Sequence, residues 1–170
     1  MMNLRLIAEY IQRNSENMRL LYNIYTELSR GFLHIYSKNV NLFFSNTMTE
    51  IDDGVIILTP SYNAFFDVIK STKRCCVSVP LDNDNGFYSI NFERLENAFS
   101  IPSNKLFILC SPHNPIGRVW TKNELEQLHR LATKHKVTVI SDEIHADIIM
   151  PDNEFVSYAH INPQALICTS

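Results

Sequence analysis

Three short polar stretches carry most of the residues able to do chemistry: Pro60-Ser61-Tyr62, Ser111-Pro112-His113-Asn114-Pro115-Ile116-Gly117-Arg118 and Ser141-Asp142-Glu143-Ile144-His145. Asp142 follows the apolar run Val137–Ile140. A carboxylate there could hold a cationic ring nitrogen through a charge-assisted hydrogen bond, or it could cap the segment that follows. Asn114 sits between two prolines, so its amide could donate to a phenolate or carboxylate oxygen, or simply serve a turn. Tyr62 could stack on a flat ligand as readily as it could begin the buried face of a helix. His113 and His145 invite a metal reading, and the Asp142/His145 spacing resembles a ligand pair. No HExxH pattern and no third ligand complete such a site, so a structural role suits both histidines better. Arg118 could clamp a phosphate or carboxylate, or be a solvated arginine near a helix start. Ser61, Ser111 and Ser141 have no nucleophile elbow or triad around them.

These stretches need strands and helices to position them. Val55–Thr59, Cys75–Val79, Leu106–Cys110, Val137–Ile140 and Ala165–Cys168 read as strands rich in aliphatic residues. Between them, Tyr62, Phe65, Phe66 and Ile69 mark one apolar helix face, and Phe92, Leu95 and Phe99 a shorter one that stops around Pro102. Asn83-Asp84-Asn85-Gly86 reads as a turn. Thr121-Lys122-Asn123-Glu124 is a capping box, followed by the buried face Leu125, Leu128, Leu131 and Ala132. Upstream, two helices are expected over the first thirty or so residues, with Phe32–Tyr36 a possible strand and Val40, Phe43 and Phe44 on one helix face. Strands alternating with helices predict an α/β fold: a mostly parallel sheet with helices on both faces. In such a sheet ligands gather beyond the carboxyl ends of the strands, where all three polar stretches fall.

Composition narrows the partners. Among 170 residues the apolar share is 45%, and 18 acidic against 15 basic side chains give a net charge of −3. Without a basic cluster there is no electrostatic basis for nucleic-acid or anionic-membrane binding. No apolar run is long enough to cross a bilayer, and the first residues lack the pattern of a signal peptide. Cys75, Cys76, Cys110 and Cys168 fall within strands, away from zinc-ligand spacing. Adjacent strand residues point to opposite faces, so Cys75 and Cys76 are not expected to pair, and a reducing cytoplasm is the expected setting.

With the motifs in order, the sequence resembles fold-type I pyridoxal-phosphate enzymes of the class I/II aminotransferase superfamily. The resemblance rests on Thr59-Pro60-Ser61-Tyr62-Asn63-Ala64-Phe65-Phe66, on Ser111 to Trp120, and on Ser141-Asp142-Glu143-Ile144-His145-Ala146-Asp147. Its wording is nearer to the C–S lyase branch, the cystathionine β-lyase-like proteins, than to the aminotransferases. It covers residues 53–170, which implies part of a cofactor-binding large domain, with 1–52 a diverged N-terminal helical segment.

The resemblance implies pyridoxal 5'-phosphate as cofactor, held by Tyr62 stacking on its ring, Asn114 donating to the ring's 3-oxygen, Asp142 pairing with the ring nitrogen and His145 lying near the 3-oxygen. The phosphate cradle would correspond to Ser37-Lys38-Asn39-Val40, with Asn39 in place of a glycine, and Asp52-Asp53 stands where relatives have Gly-Asp. The implied reaction is α,β-elimination from cystathionine or a cysteine S-conjugate, giving pyruvate, ammonia and a thiol. Transamination is the alternative enzyme reading, and a noncatalytic fragment the alternative of another class. The implied partners are a small amino-acid substrate and a second copy of the chain, as a homodimer. The family's Schiff-base lysine and small domain would follow Cys168-Thr169-Ser170, outside these residues, and Lys105, Lys122, Lys134 and Lys136 do not stand where that lysine is expected.

Overall fold

A computed structural model describes residue 41, residues 44–147, residue 149 and residues 153–168. The expected N-terminal helices, the strand at Phe32–Tyr36, the cradle at Ser37–Val40, and Val40 and Phe43 of the later helix face lie outside the described residues. Asn41 and residues 44–48 are helical.

From there the strands and helices alternate as the apolar pattern requires. They are β1 Gly54–Thr59, α1 Asn63–Ser71, β2 Cys75–Pro80, β3 Asp82–Asp84, β4 Phe87–Ser89, α2 Phe92–Phe99, β5 Asn104–Cys110, α3 Lys122–His135, β6 Thr138–Asp142 and β7 Leu166–Cys168, with a 3-10 turn at Tyr158–His160. Five strands form one sheet in the order β2-β1-β5-β6-β7, every neighbouring pair parallel.

Period-two alternation converts the continuous apolar runs into two cores, one per face of the sheet. Ile56 and Leu58 of β1, Phe107 and Leu109 of β5 and Val139 of β6 pack with Leu95 and Phe99 of α2 and with Trp120, Leu125 and Leu128. Val55, Ile57, Leu106, Ile108 and Ile140 pack on the other face with Phe65 and Ile69 of α1. Full burial of each such Leu, Ile or Phe contributes about 1.5–3 kcal/mol.

Local signals set the element ends. The α3 capping box forms: Thr121 Oγ1 accepts from the Glu124 amide at 3.3 Å and Glu124 Oε2 accepts from the Thr121 amide at 2.7 Å. The expected turn at Asn83–Gly86 is the tip of a β3–β4 hairpin, with Asn85 at φ 50° and Gly86 at φ 94°. Positive φ at both central residues matches the twist of a two-residue hairpin, and Asn-Gly tolerates it. Gly54 is required for another reason: a Cβ there would lie 1.8 Å from Asn104 Oδ1.

Two expectations change. Phe66 is 36% exposed, while Ala64, Phe65, Val68 and Ile69 form the buried face of α1. Tyr62 is the extended N-cap residue, with ψ 127°, so the helical spacing from Tyr62 to Phe66 does not apply. In addition, β6 continues through Ser141 and Asp142, so Asp142 is a strand residue and not the start of the next segment.

Candidate active site

Because β1, β5 and β6 are adjacent and parallel, their carboxyl ends bring the three polar stretches to one edge. The Ser111 amide donates to the Asp142 carbonyl at 2.9 Å, and His113 Nε2 lies 2.8 Å from the Pro60 carbonyl oxygen. The peptide bonds before Pro60, Pro112 and Pro115 are cis.

Asp142 occupies the centre of this rim and is 2% exposed. Its Oδ2 accepts from Asn41 Nδ2 at 3.0 Å, and its Oδ1 receives the Ile144 amide at 3.4 Å, a long contact. The capping role therefore survives in weak form beside any ligand role. In register, Asp142 pairs with Cys110 on one side and Cys168 on the other. Burial, then the Asp142 charge, pushes the Cys110 thiol up to about 12. Burial and the same charge, with Cys110 and Glu143 adding to them, also push the Cys168 thiol up. Both thiols stay neutral, which leaves the carboxylate to attract a cation in a region of low dielectric.

Asn114 is half-buried on the loop after β5, its amide N–H 3.5 Å from Cys110 Sγ. That loop closes on itself: the Gly117 amide donates to the His113 carbonyl at 2.7 Å, and Gly117 takes φ 69° to do so. Trp120, fully buried, donates Nε1–H to the Cys110 carbonyl at 2.9 Å and packs edge-on against His113. Tyr62 is half-buried at the mouth of α1, its ring 5.7 Å from that of Phe65. His145 lies half-buried in the turn after β6. Burial holds the His113 pKa below 6.5, against the opposing pull of the Pro60 carbonyl. Ser111 is 1% exposed, and its hydroxyl has no hydrogen-bond partner among the described residues.

Arg118 matches neither expectation. Its Nε donates to the Tyr88 carbonyl at 2.7 Å and its Nη2 to Glu124 Oε1 at 2.7 Å, and its guanidinium lies over the Phe87 and Trp120 rings. It fastens the β3–β4 hairpin to the start of α3, and its donors are engaged there. Among the described residues no three His, Cys, Asp or Glu side chains cluster as a metal site.

Two residues here escaped sequence reasoning. Asn41 lies 101 positions from Asp142, so no local pattern could pair them. Glu143 is 3% exposed and accepts both the Ser141 hydroxyl and the Tyr158 amide at 2.8 Å. The Ser-x-Glu spacing across the end of a strand was the available signal, since residues two apart in extended chain share a face.

The rim thus offers a buried carboxylate, an amide on a proline-bounded loop and an aromatic ring, a set suited to a flat, cationic heteroaromatic ligand. The sequence profile of the family described as "Aminotransferase class I and II" matches residues 29–170. Cystathionine beta-lyase PatB of Bacillus subtilis is 40% identical over 114 residues, covering 67% of this chain and 30% of the relative. Protein MalY of Escherichia coli is 36% identical over 113 residues, covering 66% of this chain and 29% of that protein. Cystalysin from Treponema denticola, solved with a pyridoxal 5'-phosphate cofactor, superposes with a TM-score of 0.73 at 37% identity, over 81% of this chain and 35% of its own. The chain therefore spans about 30% of the length of the curated relatives it matches. It belongs to the aminotransferase class I and II family.

Proposed function

We propose that these residues are part of the large domain of a pyridoxal-phosphate-dependent C–S β-lyase. Its substrate would be cystathionine or a cysteine S-conjugate, and its products pyruvate, ammonia and a thiol. The observation that supports the reading is that the adjacent parallel strands β1, β5 and β6 end at the stretches that carry Tyr62, Asn114 and Asp142, with Asp142 buried and in register with Cys110 and Cys168. The rim fits the cofactor by its donor set and by the partnerless Ser111 hydroxyl buried there. The name of the Bacillus subtilis relative, and those of relatives from Mycobacterium leprae and Mycobacterium tuberculosis called putative cystathionine beta-lyases, favour the lyase over the aminotransferase.

When bound, pyridoxal phosphate supplies an electron sink that lets the Cα–H and Cβ–S bonds of an amino acid break. This chain's part is to hold and polarise it. Asp142 would keep the ring nitrogen protonated, which strengthens the sink. Asn114 would donate to the ring's 3-oxygen, with His145 nearby, and Tyr62 would stack on the ring. We place the protein in the cytoplasm, as a homodimer; the four cysteines, all free, support a reducing setting. Among the described residues, no helix is long and apolar enough to cross a membrane.

The test uses protein expressed from the complete reading frame that contains this chain, supplied with pyridoxal phosphate and L-cystathionine. Pyruvate and free thiol should appear in equal amounts without any added 2-oxo acid. Amino-group transfer that requires a 2-oxo acid would identify an aminotransferase instead. Absence of both products would leave the noncatalytic reading standing.

A further inference from the structure

Asp142 is flanked in sequence by two residues whose side chains meet on the opposite face of the sheet. Ser141 Oγ donates to Glu143 Oε1 at 2.8 Å, and the backbone N–H of Tyr158 donates to the same oxygen, also at 2.8 Å. Tyr158 is 1% exposed and belongs to the core that contains Val139, Trp120 and Leu125. Asp142 stands in register with Cys110, which belongs to the other core, with Ile140 and Phe65. The bridge and the carboxylate therefore lie on opposite sides of one strand end.

Glu143 also holds its surroundings through its backbone. Its N–H donates to the Cys168 carbonyl at 2.6 Å, and its carbonyl accepts from the Ala146 amide at 2.9 Å. One residue thus joins the end of β6 to β7, to the 3-10 turn before β7 and to the turn that carries His145. Tyr158 extends the connection to α3, its hydroxyl 3.1 Å from His129 Nδ1. Packing alone would be met by an apolar side chain, because a buried carboxylate is costly unless its oxygens are engaged. Here one carboxylate oxygen, Oε1, accepts from two donors, directly behind the residue at the centre of the rim.

We propose that Glu143 is a positioning residue, whose carboxylate bridge to Ser141 and Tyr158 fixes the direction in which Asp142 presents its oxygens to the cofactor. The inference rests on the assignment of Asp142 to the ring nitrogen of pyridoxal phosphate. Asp142 is the last residue of β6, where the ladder to Cys110 and Cys168 ends. Tying residues 141 and 143 together on the far face holds the chain on either side of it. A charge-assisted hydrogen bond is sensitive to displacements well under 1 Å, so support of this kind sets how well the site works.

The test compares Glu143→Ala and Glu143→Gln in the full-length protein. Glutamine keeps an oxygen able to accept from both donors; alanine leaves the Ser141 hydroxyl and the Tyr158 amide without their acceptor. Pyridoxal-phosphate affinity and the pH midpoint of the bound cofactor's absorbance are measured, with Trp120 fluorescence reporting that the core is intact. Alanine should weaken affinity about tenfold and lower the pH midpoint, whereas glutamine should stay within about twofold of wild type. An alanine variant with wild-type affinity and midpoint would overturn the proposal, as would a glutamine variant as impaired as alanine. Should Glu143→Ala fail to fold, Ser141→Ala removes one arm of the bridge and should shift the midpoint in the same direction by a smaller amount; no shift would overturn the proposal. Wild-type protein without saturable cofactor binding would instead sink the cofactor assignment beneath it.

Discussion

At the amino end of the sheet, Asn104 is buried against Gly54, and its amide donates to the Ala98 carbonyl at 2.7 Å. At the carboxyl end, Ser111, His113, Ser141, Asp142 and Glu143 are all buried, and the Ser111 hydroxyl has no partner. Both ends place polar groups out of water, but for different ends. Asn104 closes a turn by donating to a carbonyl in the last turn of α2, which the Ile101 amide reaches only at 3.4 Å. The carboxyl rim gathers charge, hydroxyl and imidazole where apolar residues would have stabilised the fold more, a pattern typical of sites kept for function.

The largest test of that contrast is Asp142→Ala. Loss of the buried carboxylate should weaken pyridoxal-phosphate binding about a hundredfold in an absorbance titration, on the scale of losing one partner of a buried ion pair. Binding within threefold of wild type would remove Asp142 from the site and erase the distinction between the two ends.

Gly54→Ala probes the other end. The added Cβ must displace the Asn104 side chain, so stability should fall by about 1–3 kcal/mol in denaturant unfolding followed by the single tryptophan, Trp120. Cofactor affinity should not change. A joint loss of stability and affinity would mean that the amino end also shapes the site.

A pH series sharpens the picture further. Burial depresses the His113 pKa below 6.5 in the folded protein, so the unfolded chain takes up the proton first as pH falls. The contribution of neutral His113 is fully present above about pH 6.5 and is lost as pH drops toward the folded value, with a slope of up to about 1.4 kcal/mol per pH unit. His113→Gln should flatten that part of the stability profile; an unchanged slope would assign it to other groups.

The smallest expected effect is the most diagnostic in sign. Ser111→Ala removes a buried hydroxyl that has no partner among the described residues, so stability should stay level or rise by up to about 1 kcal/mol. A clear loss of stability would show that the hydroxyl is engaged within the folded chain.

Much of the frame was legible beforehand because its signals are local. Thr121 and Glu124 lie three residues apart and cap α3 through contacts a short peptide could make. Val55–Leu58 is apolar at four successive positions, which a strand covered on both faces accommodates. Phe66 was misplaced because helical spacing was counted from Tyr62, which precedes the helix. Arg118 was misread because its partners, Tyr88 and the ring of Phe87, come from a hairpin thirty residues earlier.

The sequence by itself determined the five strands of the parallel sheet, the three helices between them, the helix cap, and which three stretches would reach the carboxyl ends, because periodicity and local hydrogen bonding act over a few residues. Only the tertiary structure decided that Asn41 meets Asp142, that Arg118 braces the scaffold, and that Glu143 stands behind the central carboxylate. Those relations join distant segments, and they exist only once the parallel sheet has brought the ends of β1, β5 and β6 side by side.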